Sequence, residues 1–193
     1  VNVEAGAASG VLRDHLPLCE QLGSMFAGLA EGLPATIDLE LQGEIGESDP
    51  SLAKLSFLKG LLGNIGGDPV SYVNAARLAE QRSLDVRVIT TPGEKGRSNL
   101  VRVTGDVHSL AGSLSPIDGN PRLNEVDGHR LDIRPSDDML IVRNHDIPGM
   151  VGIVGTMVGD AGVNISNMYI GEDADGVAAM MVISTDGLVP NNV

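Results

Sequence analysis

The fold of the second part of the chain is decided by Asn144-His145-Asp146-Ile147-Pro148-Gly149-Met150-Val151-Gly152, followed by Gly162-Val163-Asn164-Ile165. A strand, Met139 to Asn144, leads into the first stretch, and Pro148-Gly149 opens a helix, in whose first turn proline is tolerated. Gly162 ends the helix, as glycine commonly does. The sequence therefore predicts a strand, a helix and a return into a second strand. The apolar stripe of the helix comprises Met150, Ile153, Val154, Met157, Val158 and Ala161.

Two further strands are predicted after the helix. The first is Asn164 to Ile170, and after an acidic turn over Glu172 to Gly176 comes Val177 to Ile183. The last strand is so continuously apolar that we expect it at the centre of a sheet. Pro190 would begin another helix. The order β-α-β-β is most of a ferredoxin-like βαββαβ module truncated after its third strand, so we expect the missing helix and strand in a longer parent protein.

Residues 1–137 are predicted to form a separate α/β domain. From Asp85 onward its apolar residues are spaced as in strands, and Pro135-Ser136-Asp137-Asp138 is typical of a linker. The sequence thus predicts an α+β protein with domains at 1–137 and 138–193. Before Asp85 the periodicity of the apolar residues predicts three helices and one strand. A helix over 18–33, which Pro34 ends, is followed by a half-buried strand over 35–45. A second helix follows Ser51, and a third spans about 70–81.

Composition excludes several classes of function. The 193 residues carry 13 Lys and Arg against 26 Asp and Glu, a net charge of −13, and only 2% are aromatic. Binding single-stranded nucleic acid needs a basic groove and stacking aromatics, so we expect no nucleic-acid partner. No apolar run approaches the roughly 18 residues of a membrane span, and no signal peptide opens the chain. We therefore expect no membrane partner and a cytoplasmic location. One cysteine, Cys19, excludes a Cys-rich metal site.

The first stretch quoted above is a candidate site for a free amino acid. Residues 138–193 hold seven acidic residues and one basic residue, Arg143, a charge of 1 − 7 = −6, so an amine fits there. A helix N-terminus can bind a carboxylate, Asp146 and Asn144 could hold the ammonium, and Asn164 offers a donor and an acceptor. In the alternative interpretation, Asp146 only caps the helix and Asn164 only shapes the turn after Gly162.

Three glycines inside the predicted helix need a reason, since each costs up to about 1 kcal/mol relative to alanine. Gly152, Gly155 and Gly159 share one stripe, opposite the apolar one. Close approach of another backbone or of a ligand would explain them. A flexible surface helix is the alternative.

The residues resemble a known family. Asp146-x-Pro148-Gly149-x-x-Gly152-x-x-Gly155, followed by Gly162-Val163-Asn164-Ile165, looks like the ACT domain, a small amino-acid-binding regulatory module. Earlier stretches resemble the intervening domain of long-form D-3-phosphoglycerate dehydrogenases, and the resemblance covers essentially the whole chain. Those stretches are Val1-Asn2-Val3, the strand Ile37 to Ile45, Ser71-Tyr72-Val73-Asn74-Ala75, Gly112-Ser113-Leu114 and Gly128-His129-Arg130-Leu131-Asp132-Ile133.

The resemblance implies a regulatory part without catalytic residues. In the family, NAD and 3-phosphoglycerate bind to other domains, and this chain has no G-x-G-x-x-G loop after a strand. We expect no cofactor or metal in this chain, and its four histidines show no paired carboxylate recognisable from spacing. The implied effector is L-serine, and the residues matching its contacts are Asn144, Asp146, Pro148, Gly149 and Asn164.

The resemblance also implies an anion site in the first part of the chain. Arg122 and Arg134 match two basic positions of the family that bind phosphate or phosphoglycerate, while Ser184 stands at the third. Arg130 is a possible further member, because Arg130 and Asp132 lie on the opposite strand face from Leu131 and Ile133. The alternative is a solvated strand face.

Two other functions stay open: a free-standing amino-acid sensor that acts on another protein, and a structural module that holds an oligomer together. We expect the chain to form a homo-oligomer, a dimer or a tetramer, and the resemblance suggests a tetramer in the intact enzyme. Strand edges with unpaired backbone groups invite pairing, and Met139 to Asn144 and Val177 to Ile183 are the candidate strands.

Overall fold

The computed structural model describes residues 10–30, 32–63, 65, 69–92, 99–172 and 178–190. By their internal contacts the residues divide into two compact units, with the division between Gly128 and His129. The sequence predicts a boundary nine residues later, at 137/138. The reason for the difference is strand β6, His129–Ile133, which contacts strand β8, Ile165–Glu172, of the second unit.

The first unit packs helices against a mixed sheet. Its strands run in the order β2-β1-β3-β4-β5. The β1–β2 pair is parallel and the other pairs are antiparallel, with a register shift between Ala111 and Gly112. Its elements are α1 (Gly10–Leu29), β1 (Thr36–Gln42), a 3₁₀ turn (Glu44–Glu47), α2 (Ser51–Gly63), α3 (Ala75–Gln81), β2 (Asp85–Thr91), β3 (Leu100–Thr104), β4 (Ser109–Leu114) and β5 (Pro121–Val126).

Helix α1 begins eight residues earlier than predicted, so the predicted start at residue 18 is wrong. Pro17 lies inside it, where a proline removes one backbone hydrogen bond. The turns on both sides of Pro17 bury one continuous stripe, including Leu12, His15 and Leu18. Burial of each large apolar side chain contributes about 1.5–3 kcal/mol, which offsets the lost bond.

Helices α1 and α2 approach each other closely at two glycines. A Cβ atom at Gly60 would collide with the backbone carbonyl oxygen of Glu20, and one at Gly23 would collide with that of Phe57. Beside the crossing, Lys59 Nζ donates to both carboxylate oxygens of Glu20 at 2.7 and 2.9 Å. The two helix backbones are therefore in contact, and no side chain larger than hydrogen fits between them.

Strand β1 has the predicted half-buried pattern. Ile37, Leu39 and Leu41 are fully buried, while the alternate residues face away from the helices and are partly exposed. On that other face, Arg87 donates to both carboxylate oxygens of Asp38 at 2.7 and 2.9 Å. The core of the first unit thus lies between the sheet and helices α1 and α2.

The second unit confirms the predicted β-α-β-β order. After β6 come β7 (Met139–His145), α4 (Met150–Asp160), β8 (Ile165–Glu172) and β9 (Ala178–Thr185). The sheet order is β7-β9-β8, with both pairs antiparallel, so the last predicted strand is central. Its core comprises Val154, Val158, Met181 and Ile183, with partly buried apolar side chains around them.

Several predictions from the sequence differ from the structure or lie outside the described residues. The third helix spans only Ala75–Gln81, because residues 72–74 form a turn before it. Strand β9 pairs on both sides, so Val177 to Ile183 has no free edge for pairing with another copy. Residues 1–3, Gly93, most of the acidic turn (173–176) and Val177 lie outside the described residues. A helix after Pro190 stays a prediction, and no described helix is long and apolar enough to cross a membrane.

Candidate functional site

The end of β7 supplies a polar atom without a partner. Asn144 is the sixth of seven residues of β7, and its Nδ2 donates to the backbone oxygen of His145 at 2.7 Å. The other side-chain atom, Oδ1, is buried and has no hydrogen-bond partner among the described residues. A buried acceptor left unpaired costs about 1–3 kcal/mol. The Asn144 amide is thus held in place through Nδ2, and its Oδ1 can accept a hydrogen bond from a donor.

Asp146 and the start of α4 lie directly after Asn144. Asp146 is exposed, and none of the hydrogen bonds or ion pairs among the described residues involves it. The N-cap of α4 is Gly149, whose φ of 97° suits glycine, and no side chain caps the helix. The interpretation that Asp146 only caps α4 is therefore wrong. The first N–H groups of any helix lack an intrahelical acceptor, so α4 presents donors near a free carboxylate.

Asn164 precedes β8 and is positioned through its backbone. Its N–H donates to Asp186 Oδ1 at 2.9 Å, and its carbonyl oxygen accepts from the Asp186 N–H at 3.1 Å. The turn before it bends at Gly162, with a φ of 77°. The Asn164 side chain is exposed, and no hydrogen bond of the described residues uses it. The turn is therefore shaped by Gly162 and Asp186, and the amide of Asn164 is available to a ligand.

The structure does not bring Asn164 together with Asn144 and Asp146 within one chain. Asn144 pairs with Ala179 at one end of β9, and Ile165, next to Asn164, pairs with Thr185 at the other end. Six residues of strand separate these two positions, about 20 Å at 3.3 Å per residue. One chain therefore presents two half-sites at opposite ends of α4 and of the sheet.

Helix α4 has an uncovered face. A Cβ atom at Gly152, Gly155 or Gly159 would meet nothing within 4 Å, so the close approach that these glycines permit is not used by the described part of the chain. Two apolar residues of the predicted core stripe are half exposed: Ile153 at 53% and Met157 at 45%. Val154 and Val158 alone are buried on this helix. The surface of α4 is therefore apolar and open to a neighbour.

The arginines of the predicted anion site belong to different units. Arg122 lies in β5 of the first unit, opposite Ser113, and Arg130 and Arg134 are exposed in the second unit. Leu131 and Ile133 are buried and Asp132 is exposed, so β6 alternates as predicted. The Ser184 hydroxyl is buried and donates to the carbonyl oxygen of Arg134 at 3.4 Å. Whether the three arginines form one site stays a prediction.

One histidine–carboxylate pair was missed in the sequence. His108 Nδ1 lies 3.0 Å from Asp127 Oδ2, and Asp127 Oδ1 accepts the Ser109 N–H at 2.7 Å. Asp127 adopts a φ of 48° in the turn after β5. The register of β4 and β5 brings these residues together, and the pair fastens that end of the hairpin. The signal in the sequence is Asp127-Gly128, a dipeptide typical of tight turns.

Two further reactive residues are buried in α1. Burial raises the pKa of the Cys19 thiol to about 12, which makes this thiol unreactive at neutral pH. His15 Nδ1 contacts the backbone oxygen of Val11 at 2.7 Å, and burial lowers its pKa from 6.5. Among the described residues, no three His, Cys, Asp or Glu side chains are grouped to hold a metal ion.

Comparison with known proteins identifies the family. The model of the D-3-phosphoglycerate dehydrogenase intervening domain matches residues 11–127, more than half of the chain. This chain belongs to that family.

Proteins named D-3-phosphoglycerate dehydrogenase are similar over nearly the full chain. Those of Mycobacterium leprae, Methanocaldococcus jannaschii and Synechocystis sp. are 32%, 31% and 33% identical over 198, 188 and 191 residues. The alignments cover 100%, 95% and 94% of this chain but only 38%, 35% and 34% of the relatives. The chain spans about a third of the relatives' length and corresponds to their C-terminal part.

Proposed function

We propose that this chain is the regulatory part of a D-3-phosphoglycerate dehydrogenase of L-serine biosynthesis, and that it senses L-serine and holds subunits together. The family match and the C-terminal alignment with dehydrogenases support this proposal. The catalytic groups and the NAD site are proposed to lie in the remaining two thirds of the whole enzyme. The second unit is proposed to act as an ACT domain.

The end of β7 and the start of α4 have the chemistry to bind an amino acid. The free N–H groups of α4 can accept the carboxylate, and Asp146 can accept from the ammonium in a charge-assisted hydrogen bond. Asn144 Oδ1, the buried acceptor without a partner, can accept from the ammonium or from the serine hydroxyl. This orphaned acceptor beside a free carboxylate is the observation that carries the proposal.

The complete site is proposed to form between two copies of the second unit. Asn164 lies about 20 Å from Asn144 along the sheet, so a small ligand such as serine touches both only if Asn164 comes from another copy. The open glycine stripe would let a second α4 approach closely. Serine sensing and assembly are thus proposed to use the same surface.

Calorimetry with L-serine tests this proposal on the intact enzyme. In the proposed site between two copies the bond of Asp146 to the ammonium is buried. Removing one partner of a buried charged hydrogen bond costs about 2–5 kcal/mol, so Asp146→Ala should weaken serine binding at least about tenfold. Asp160→Ala is the matched control, because Asp160 is also exposed but lies at the other end of α4, and it should bind serine normally. Equal affinity in the wild type and in Asp146→Ala would place the effector elsewhere.

A second ligand is proposed for the arginines. Arg122, Arg130 and Arg134 would bind phosphate or phosphoglycerate, because the guanidinium fork matches phosphate oxygens. Phosphate should then raise the melting temperature, and Arg134→Ala should abolish the shift. An unchanged melting curve of the wild type in phosphate would contradict it. A free-standing sensor or a purely structural module remains the alternative, and a structural module would show no response to serine.

A further inference from the structure

Strands β4 and β5 of the first unit pair across a β-bulge. Ala111 of β4 pairs with Glu125 of β5, but the next residue of β4, Gly112, pairs with Leu123. Asn124 is therefore an extra residue of β5 without a directly opposed partner. Bulges are frequent beside binding sites, where they redirect a side chain. The bulge thus gives the Asn124 side chain a direction that the regular alternation of the strand would not.

The side chains around the bulge lie on the sheet face that is turned away from helix α1. A Cβ atom at Gly112 would come within 2.9 Å of Leu18 Cδ1 in α1. Position 112 therefore faces the helix, and its neighbour Ser113 faces the other way. Ser113 pairs directly with Arg122, and the Cβ atoms of such a pair lie about 4.5–5.5 Å apart on one face. Arg122 is thus beside Ser113 on this outer face.

Ser113 fixes the orientation of the Asn124 amide. The Ser113 hydroxyl donates to Asn124 Oδ1 at 2.7 Å, so the side chain of the bulge residue lies on the outer face as well. Because Oδ1 accepts this bond, the other amide group, Nδ2, is left with two N–H donors. No hydrogen bond among the described residues uses Nδ2. Asn124 therefore presents donors on the same face and the same strand as Arg122.

The acidic side chain beside the bulge is already paired. Arg102 of β3 donates to both carboxylate oxygens of Glu125, and both side chains are half-buried. The charge of Glu125 is largely compensated by this pair, so Glu125 repels an anion at Arg122 less than an unpaired carboxylate would. The surroundings of Asn124 thus favour an anionic ligand over a cationic one.

We propose that Asn124 Nδ2 and the Arg122 guanidinium bind one and the same oxyanion, and that Ser113 is the positioning residue that keeps Nδ2 turned toward it. The proposal rests on the anion site proposed above for the arginines and adds a neutral donor to that site. Phosphate and phosphate esters present several oxygens, which the guanidinium fork and an amide N–H can share. Arg122 and Asn124 are about 6.6 Å apart at 3.3 Å per residue, so both side chains can reach one phosphate group.

Asn124→Asp separates ligand binding from a purely structural role of the bulge. Aspartate has the same shape and still accepts from the Ser113 hydroxyl, so the bulge is retained, but an oxygen replaces Nδ2. Calorimetry on the full chain, with inorganic phosphate and separately with phosphoglycerate, should show affinity at least about tenfold weaker, because a hydrogen bond to a charged group is lost and two anions repel. The ligand that binds the wild type more tightly distinguishes a site for free phosphate from a site for its ester.

Asn120→Asp is the matched control. It adds the same charge two residues before Arg122, whereas Asn124 lies two residues after it, and the Asn120 side chain forms no hydrogen bond among the described residues. A surface charge of this kind should weaken binding by no more than about threefold. Equal losses in Asn120→Asp and Asn124→Asp would show that charge alone acts, and would overturn the role of Nδ2.

Two substitutions at Ser113 test the positioning role. Ser113→Ala leaves the Asn124 amide free to rotate and should weaken phosphate binding, whereas Ser113→Thr keeps the hydroxyl and should bind phosphate as the wild type does. Wild-type affinity in both Ser113→Ala and Asn124→Asp would overturn this proposal while the arginine site stands. A wild-type chain that binds neither phosphate nor phosphoglycerate would overturn the arginine site and this proposal together.

Discussion

Glycines lie on helices of both units, but their surroundings are opposite. At Gly23 and Gly60 of the first unit the α1 and α2 backbones touch, and any Cβ atom would collide with a carbonyl oxygen. At Gly152, Gly155 and Gly159 of the second unit a Cβ atom would meet nothing within 4 Å. The same residue type thus marks a contact completed within the chain in one unit and a surface left open in the other.

The largest effect should come from closing the space in the first unit. In Gly60→Ala the new methyl group meets the Glu20 carbonyl oxygen, which belongs to a helix backbone and cannot turn aside. Overpacking of this kind typically costs 1–3 kcal/mol and occasionally more, so we expect a loss of about 3 kcal/mol or failure to fold. Urea unfolding measures it. Gly63→Ala is the control on the same helix, since nothing lies within 4 Å of its Cβ position. A Gly60→Ala protein as stable as the control would show that the crossing is looser than described.

The same substitution in the second unit should have the opposite sign for folding. Gly155→Ala removes a helix-interior glycine, and alanine is favoured there by up to about 1 kcal/mol. The dissociated chain should therefore become more stable, while self-association weakens because the helices of two copies can no longer approach closely. Sedimentation at several concentrations, together with thermal unfolding, separates the two effects. Unchanged association would mean that α4 does not meet a second copy at its glycines.

The smallest effect is a pH dependence confined to the first unit. Burial lowers the pKa of His15 from 6.5, against smaller opposite contributions from the Val11 carbonyl and Asp14. The unfolded chain therefore binds this proton more readily, and stability that is fully present above about pH 6.5 is lost as the pH falls. His15→Gln should flatten the dependence of the unfolding free energy on pH between about 7 and 5. The exposed His145→Gln serves as a control, and an equal slope in wild type and His15→Gln would refute the assignment.

Periodicity predicted much of the fold, since β1, α4 and the central β9 follow from apolar spacing. It did not identify β4 and β5, which contain few of the β-branched and aromatic residues that favour strands. Gly112 lies at the register shift of these strands, and a Cβ there would come within 2.9 Å of Leu18 Cδ1 and 2.7 Å of the Arg122 carbonyl oxygen. A small residue is needed there because α1 packs on it. This requirement for a small residue comes from a tertiary contact, so the periodicity of the local sequence does not indicate it.

The sequence proposes the residues of the candidate site, and the structure shows how they are arranged within one chain. The sequence indicated Asn144, Asp146 and Asn164 together, yet α4 separates them. An 11-residue helix is about 16 Å long at 1.5 Å per residue, so residues flanking its two ends cannot share a small ligand. The length of the helix could be predicted from the sequence. The unpaired state of Asn144 Oδ1 could not, because it depends on the rotamer that the hydrogen bond to the His145 carbonyl oxygen fixes.

A mixture of two defective variants tests most directly whether serine binds between two copies. Asp146→Ala and Asn164→Ala should each lose serine binding in the intact enzyme. When the two are unfolded together in equal amounts and refolded, each mixed pair contains one site with both residues intact, so about one quarter of all sites should recover wild-type affinity if pairing is two-fold and random. Calorimetry that finds this quarter would support a site shared between copies. A mixture that binds no serine, although mixed pairs have formed, would place Asp146 and Asn164 in the same chain's site and contradict the account.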